Sequence, residues 1–559
     1  MCRRLARETI APLLYAAANQ GNRMSEQINT PGRGRGSVAG ARRVARAGSR
    51  AALWVVLALP LAGGAAETTA AATDAQKPAA EAQQAPEPKA VRTQGEVRIG
   101  GEVVRYTATV GWLIMKDDAG NPVARFGYTA YTRNGVKDLG RRPVMFAYNG
   151  GPGSSSIWLH IGILGPRRVV VNDPGYAPPP PAERVNNEYS VLDVTDLVMI
   201  DPVGTGFSKP LGDAKGEDFW GVDQDVKSVG AFIKRWVTEN GRWASPKYLL
   251  GESYGGMRSA GLANHLQSVH GMNLNGVVLV SPFLDAGSGV DGVGIDLPHA
   301  LFLPSLAATA WYHGLIANKP ASLEAFMAEV ERFAYAEYLP ALQRGYLIAP
   351  EEKRAVAAKL AAYTATSADY WEKADLRVTH PQYLQELQRS QRLIAGRIDS
   401  RFVGPSLNPL AEKMDYDPFF PAVGPAYTAA FQDYLRGELK FDGDEEYRVS
   451  AFDIKWDWQH QQPGSDLSEV AAANTVPDLA RAITMNPGLQ VLVQQGWYDL
   501  ATPWLATRHN LAHLDITPEA RGRIRVAHYD AGHMMYLHAP SMQKYRDDLA
   551  RFIRDTDRL

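Results

Sequence analysis

Lys247-Tyr248-Leu249-Leu250-Gly251-Glu252-Ser253-Tyr254-Gly255-Gly256 is the stretch on which the reading of this chain turns. Residues 247–250 form a short apolar run and read as a strand, while 256–269 carry Leu262, Leu266 and Val269 at helical spacing. Between them, Gly251 to Gly255 fits G-x-S-x-G, the pattern of a serine presented on a sharp strand-to-helix turn. The glycines have a physical reason: that turn is strained, and a Cβ at either flanking position would collide with the adjoining element. The helix that follows turns its N-terminal N–H groups and positive dipole end toward the serine, where an oxyanion would develop.

Outward from this turn, the chain supplies the sheet that such a serine needs. Strand-like stretches rich in Val, Tyr and Thr occupy 103–115 and 123–133, each ending in a turn signal, followed by 143–148. Apolar runs at 196–200, 248–250, 276–280 and 489–493 then alternate with helical patterns, as an open, mostly parallel sheet requires. From 298 to 473 strand signals nearly vanish, and 322–337 and 350–364 space their apolar residues as helices do. The expected class is α/β: an α/β-hydrolase fold with a mostly parallel central sheet, its core in 95–297 and 474–559, interrupted by a mainly helical cap at 298–473.

A serine hydroxyl is a weak nucleophile without a base, and in this fold the chain order is Ser, then Asp or Glu, then His. Asp499 follows the strand at 489–493 through Gly496-Trp497-Tyr498. His533 follows a candidate strand at 524–528 in Asp530-Ala531-Gly532-His533-Met534-Met535. Both lie just past strands, where ligands gather in open α/β sheets. Of the twelve histidines, His528 is the nearest rival to His533, and as a strand residue it reads as structural.

Four blocks in this order resemble the serine carboxypeptidase family, to which cathepsin A and carboxypeptidase Y belong. They are Asn149-Gly150-Gly151-Pro152-Gly153-Ser154-Ser155-Ser156, Asp201-Pro202-Val203-Gly204-Thr205-Gly206-Phe207-Ser208, Gly251 to Gly256, and Gly532-His533-Met534. The resemblance implies a triad of Ser253, Asp499 and His533, and an oxyanion hole on the backbone N–H groups of Gly151 and Tyr254. It further implies that Asn149, Gly150 and Glu252 hold the carboxylate of a peptide's C-terminus. The family's second glutamate falls fourteen residues after Asn149, where this chain has Ile163. Two carboxyl groups sharing a proton can hydrogen-bond a carboxylate, whereas one ionised glutamate repels it. His160, Arg167 and Arg168 stand nearby as compensating positive charges, although a packed histidine and a solvated basic pair are the plainer reading. Ser154 and Thr502 occupy positions where many members have cysteine.

The first 66 residues differ from the rest. They carry ten Arg, no Lys and two acids, then an apolar run over 51–62 and small residues to Ala66. This reads as an export signal with cleavage near Ala66 and a start at Met1 or Met24. The apolar run, broken by Pro60, is short for a membrane span. The segment holds +8 of a net charge of −1, which leaves −9 for the remainder and no electrostatic reason to hold nucleic acid. The one cysteine, Cys2, leaves with the signal, so no disulfide or thiolate site is expected, and the expected location is periplasmic or secreted, in a bacterial envelope. Residues 67–94, rich in Ala, Pro and Gln, read as a flexible linker.

Other signals weigh less. Gly287-Ser288-Gly289-Val290-Asp291-Gly292 fits the dinucleotide fingerprint but opens no adequate helix before Pro298. His509 and His513 are spaced i, i+4 without the glutamate of a zinc motif and read as surface residues of a helix. Tyr370-Trp371 and Trp456-Asp457-Trp458 read as packing residues, with the lining of the substrate cleft as the alternative for some of them. The expected activity is peptide hydrolysis through an acyl-enzyme, needing no metal or organic cofactor. An esterase or acyltransferase of the same fold, and a non-catalytic peptide-binding envelope protein, are the alternatives.

Overall fold

The computed structural model describes residues 87, 89–442, 445–451, 453–464 and 473–557, all within one compact unit. The export region and most of the expected linker lie outside the described residues.

The frame is a ten-stranded sheet. In chain order it contains β1 (Lys89–Ile99), β2 (Glu102–Lys116), β3 (Pro122–Arg133), β4 (Val144–Tyr148), β5 (Asp196–Ile200), β6 (Lys247–Glu252), β7 (Gly276–Val280), β8 (Gln490–Gly496) and β9 (Ile524–Tyr529). Their spatial order is β1-β2-β3-β5-β4-β6-β7-β8-β9, and the remaining strand, Lys209–Pro210, pairs with β3. From β5 to β9 every neighbour is parallel, while β1, β2 and β3 form an antiparallel flank that joins β5. The α/β-hydrolase expectation is met by this sheet and its helices.

The apolar central strands follow from burial on both faces. In β4, Met145 and Ala147 enter one core, whereas Val144, Phe146 and Tyr148 enter the other, the two-residue alternation of a strand. Helices α1 (Val222–Glu239), α2 (Tyr254–His270) and α5 (Val476–Met485) cover one face. The C-terminal helix α6 (Ala539–Thr556) covers the other, joined there by α4 (Phe419–Gly437). Order reverses at β4, which lies between β5 and β6, so a crevice opens beyond the carboxyl ends of these strands.

Two differences from the sequence reading have physical causes. β1 begins at Lys89, inside the segment expected to be linker up to 94, and pairs with β2 from Lys89↔Trp112 to Ile99↔Glu102. Its inward residues are only half-buried until Val97, so the apolar alternation that marks a strand is weak there. The described residues between β7 and β8 are mainly helical, their first long helix being α3 (Leu297–Tyr312), but they divide among several cores. Helices over 297–387 pack with Trp497, Tyr498 and Trp504, whereas α4 shares its core with the sheet.

Candidate active site

The loops that leave β4, β6, β8 and β9 converge on the crevice. Ser253 follows β6 with φ 62° and ψ −126°, a conformation that costs a non-glycine residue about 1–3 kcal/mol. Its N–H donates to Val280 O at 2.9 Å, and its carbonyl accepts from Gly256 N at 2.8 Å and Phe283 N at 2.9 Å. A Cβ at Gly251 would lie 2.0 Å from Gly255 O, so the turn closes only with glycine there. Tyr254 opens α2, where first-turn N–H groups have no intrahelical acceptor.

The β4 loop is pressed onto this turn. A Cβ at Gly150 would lie 2.5 Å from Tyr254 N, and Gly151 has φ 105°. The buried Arg258 of α2 braces the contact: its Nε donates to Asp225 Oδ2 at 2.6 Å and its Nη1 to Asn149 O at 2.8 Å. Residues 449–451 and 453–458 lie over the same loop, with Ala451 N donating to Gly153 O at 2.7 Å. There Trp456 and Trp458 meet the Tyr254 ring edge-on at 5.2 and 5.9 Å. His460 ends this run between Asp223 (2.6 Å) and Asp478 (2.8 Å).

Beyond β8 and β9, His533 Nδ1 lies 2.8 Å from Asp499 Oδ2. Asp499 Oδ1 accepts from Ala501 N at 2.7 Å and Thr502 N at 3.0 Å. The Thr502 hydroxyl stands 2.8 Å from Asp499 Oδ2, 2.8 Å from Ser281 O and 3.1 Å from His533 Nδ1. Burial opposes charging His533, but Asp499, aided by Glu252, outweighs it and holds the imidazole pKa above its ordinary value. Asp499 and His533 are thus brought together. Among the described residues no hydrogen bond joins Ser253 Oγ to His533; they are linked through the end of β7, where Val280 O accepts from Ser253 N and the hydroxyl of the next residue, Ser281, donates to His533 O at 2.8 Å.

Glu252 and Asn149 also meet. Asn149 Oδ1 accepts from Leu159 N at 3.1 Å, which fixes the amide so that Nδ2 donates to Glu252 Oε1 at 2.8 Å. Burial pushes the Glu252 carboxyl up to about 7, against the pull of His533, Tyr536 and Asn149. Ile163 is buried in the apolar core. His160 is no cation: burial drives its pKa to about 3, and its Nε2 lies 2.6 Å from Tyr131 OH. Arg167 pairs with Glu438 at 2.9 Å and Arg168 with Glu188 at 3.3 Å, so both are engaged outside the crevice.

Several residues escape a sequence reading. Tyr536 donates its hydroxyl to Glu252 Oε2 at 2.7 Å. A segment between β7 and β8 clamps both loops of the acid–base pair. His533 N donates to Ile398 O (2.8 Å), Leu500 N to Arg397 O (3.1 Å) and Ser400 N to Tyr498 O (3.0 Å), and Gly532 N donates to Asp399 Oδ2 (3.0 Å). The nearness of Tyr536 to His533 in the chain is the one signal for the first; none marks the second. Of the discounted signals, Trp456 and Trp458 reach the Ser253 turn through Tyr254, and the others stay apart from the crevice. Residues Ala286–Gly289 form a single helical turn, Trp371 is buried among helices, and His528 stacks on Trp497 at 4.2 Å. No group of His, Cys, Asp and Glu suited to a metal occurs among the described residues, and none of their helices is long and apolar enough to cross a membrane.

A family model described as serine carboxypeptidase matches residues 126–536. Serine carboxypeptidase-like 8 of Arabidopsis thaliana is 29% identical over 191 residues, 32% of this chain and 40% of that protein. Serine carboxypeptidase-like 36 of the same plant is 30% identical over 171 residues, 29% of this chain and 33% of that protein. The chain therefore spans less than half the length of either curated relative. Among solved structures, Kex1(delta)p, a prohormone-processing carboxypeptidase from Saccharomyces cerevisiae, aligns with TM-score 0.49 and 15% identity over 80% of this chain and 92% of that one.

Proposed function

Since this chain belongs to the serine carboxypeptidase family, we propose that it removes residues from the C-termini of peptides through an acyl-enzyme. The Asp499–His533 pair at 2.8 Å supports this reading, together with the strained turn of Ser253, which Val280 and Ser281 connect to the His533 loop. Ser253 is the nucleophile, His533 takes its proton and later returns it to the leaving amine, and Asp499 holds the imidazole and offsets its positive charge. The N–H groups of Gly151 and Tyr254 form the oxyanion hole, where one donor contributes about 3 kcal/mol to the transition state. Asn149, Gly150 and Glu252 receive the substrate's terminal carboxylate. The first 66 residues support export to a bacterial envelope, with cleavage near Ala66.

Mass spectrometry of a peptide incubated with the chain and with Ser253→Ala tests this. A ladder shortened from the C-terminus, lost in the variant, is expected. Internal cleavage, or a ladder that survives Ser253→Ala, overturns the reading.

A further inference from the structure

We propose that Tyr536 takes over from the missing carboxyl at position 163, so that a glutamate and a phenol, in place of two acids, receive the end of the peptide. This rests on the reading of Asn149, Gly150 and Glu252 as a carboxylate site.

The geometry shows how one residue stands in for another. Ile163 leaves the site and joins the apolar core, and the space beside it is filled from elsewhere. Gly162 has no side chain, and a Cβ there would lie 2.6 Å from the Tyr536 ring and 2.9 Å from Tyr427 OH. Through that gap the Tyr536 hydroxyl reaches Glu252 Oε2 at 2.7 Å, while Asn149 holds Oε1 at 2.8 Å. Both carboxyl oxygens of Glu252 thus have a fixed partner.

Counting protons gives the consequence. When Glu252 is ionised, the Glu252–Tyr536 pair owns one proton, and it lies between the two oxygens. When Glu252 is protonated the pair owns two, and one is left to donate to an incoming carboxylate. Tyr536 cannot lose its proton in the working range, since burial pushes it well above its ordinary value, so Glu252 alone sets the switch. The groups facing Glu252 are His533 and Asp499 from the acid–base loops, Tyr536, Tyr427 of α4 and Tyr545 of α6. The three phenols stay neutral, which leaves Glu252 as the group of the pair that changes charge near neutrality, beside a His533 whose pKa is held above its ordinary value.

The test uses the full chain and a blocked dipeptide, as free acid and as C-terminal amide, with KM followed from about pH 5 to about pH 9. In the wild type, KM for the acid rises on the alkaline side as Glu252 ionises. Tyr536→Phe removes a donor to the ionised form, so this limb moves up by about one pH unit, and KM for the acid rises at least about fivefold more than for the amide. Glu252→Gln abolishes the limb, and in that background Tyr536→Phe has none to move. A limb left in place by Tyr536→Phe, a limb that persists in Glu252→Gln, or equal effects on acid and amide overturns the proposal. So does failure of Tyr536→Phe to label with a fluorophosphonate, which makes the residue a support of the fold alone. A wild type that labels at Ser253 yet leaves the free acid intact defeats the carboxypeptidase reading instead.

Discussion

The two halves of the crevice are built differently. On the Ser253 side, the turn is held through its main chain by Gly256 and by Val280 and Phe283 at the end of the adjacent strand β7, and glycines at 150 and 251 permit contacts that a Cβ would forbid. On the acid–base side, Asp499 and His533 are held by residues about a hundred positions earlier: 397–400 receive or supply the hydrogen bonds of both loops. One half is a glycine turn seated between neighbouring strands of the sheet, and the other is gripped by a segment from the long stretch between β7 and β8. A local motif thus marks the Ser253 turn, while the placing of Asp499 and His533 needs the rest of the molecule.

Four substitutions and one pH series can break or sharpen this contrast. Asp499→Asn should lower kcat about 10⁴-fold by favouring the wrong tautomer of His533, measured in steady state; a loss below about tenfold detaches Asp499 from the chemistry. Asp399→Ala strips the buried Arg401 of one of its two carboxylates, Asp399 at 2.6 Å and Asp173 at 2.7 Å. Urea unfolding should register a loss of about 3–5 kcal/mol, and kcat should fall with it; an unchanged kcat would make the clamp a matter of stability alone. Gly251→Ala forces the turn to shift, and a displacement near 1 Å costs about 10²-fold, read as the rate of fluorophosphonate labelling. Labelling at the wild-type rate would show that the turn adapts. Thr502→Val removes a hydroxyl from the Asp499 carboxylate and should reduce kcat/KM about tenfold; no change would assign that hydroxyl to Ser281 O.

The pH series separates the halves most gently. An ester without a free carboxylate needs only neutral His533, so its kcat/KM should rise with pH through the raised imidazole pKa and then hold. A free-acid peptide should rise with it and fall again above about 7, as Glu252 loses its proton. Identical profiles for the two substrates would remove Glu252 from substrate binding.

How far the sequence alone reaches follows the same division. The central strands were legible because both faces are buried and the apolar runs are continuous, as in β5 and β7. β1 was obscured because its outward residues are Arg, Gln and Glu and its inward ones only half-buried. Ser253 and its glycines were legible because steric rules act between adjacent residues. The placing of Asp499 and His533 past strands was legible from chain order, whereas their clamp was not, since nothing local marks Ile398 or Ser400 as partners of residues past β8 and β9. Tyr536 was hidden for a different reason. A phenol near a histidine looks like packing until the fold shows which carboxyl it faces. Arg258 likewise reads as a helix residue, and only burial against Asp225 and Asn149 O reveals its role.

The segment 397–401 has a consequence for how such molecules diversify. It lies in the long stretch between β7 and β8, the natural choice for a transplant meant to change substrate preference. Because that stretch also grips the loops of Asp499 and His533, a graft would carry reactivity with it. Donor and recipient would have to agree on this short junction before any new specificity could be read, and a shuffled library that preserved it would retain more living members than one that cut across it.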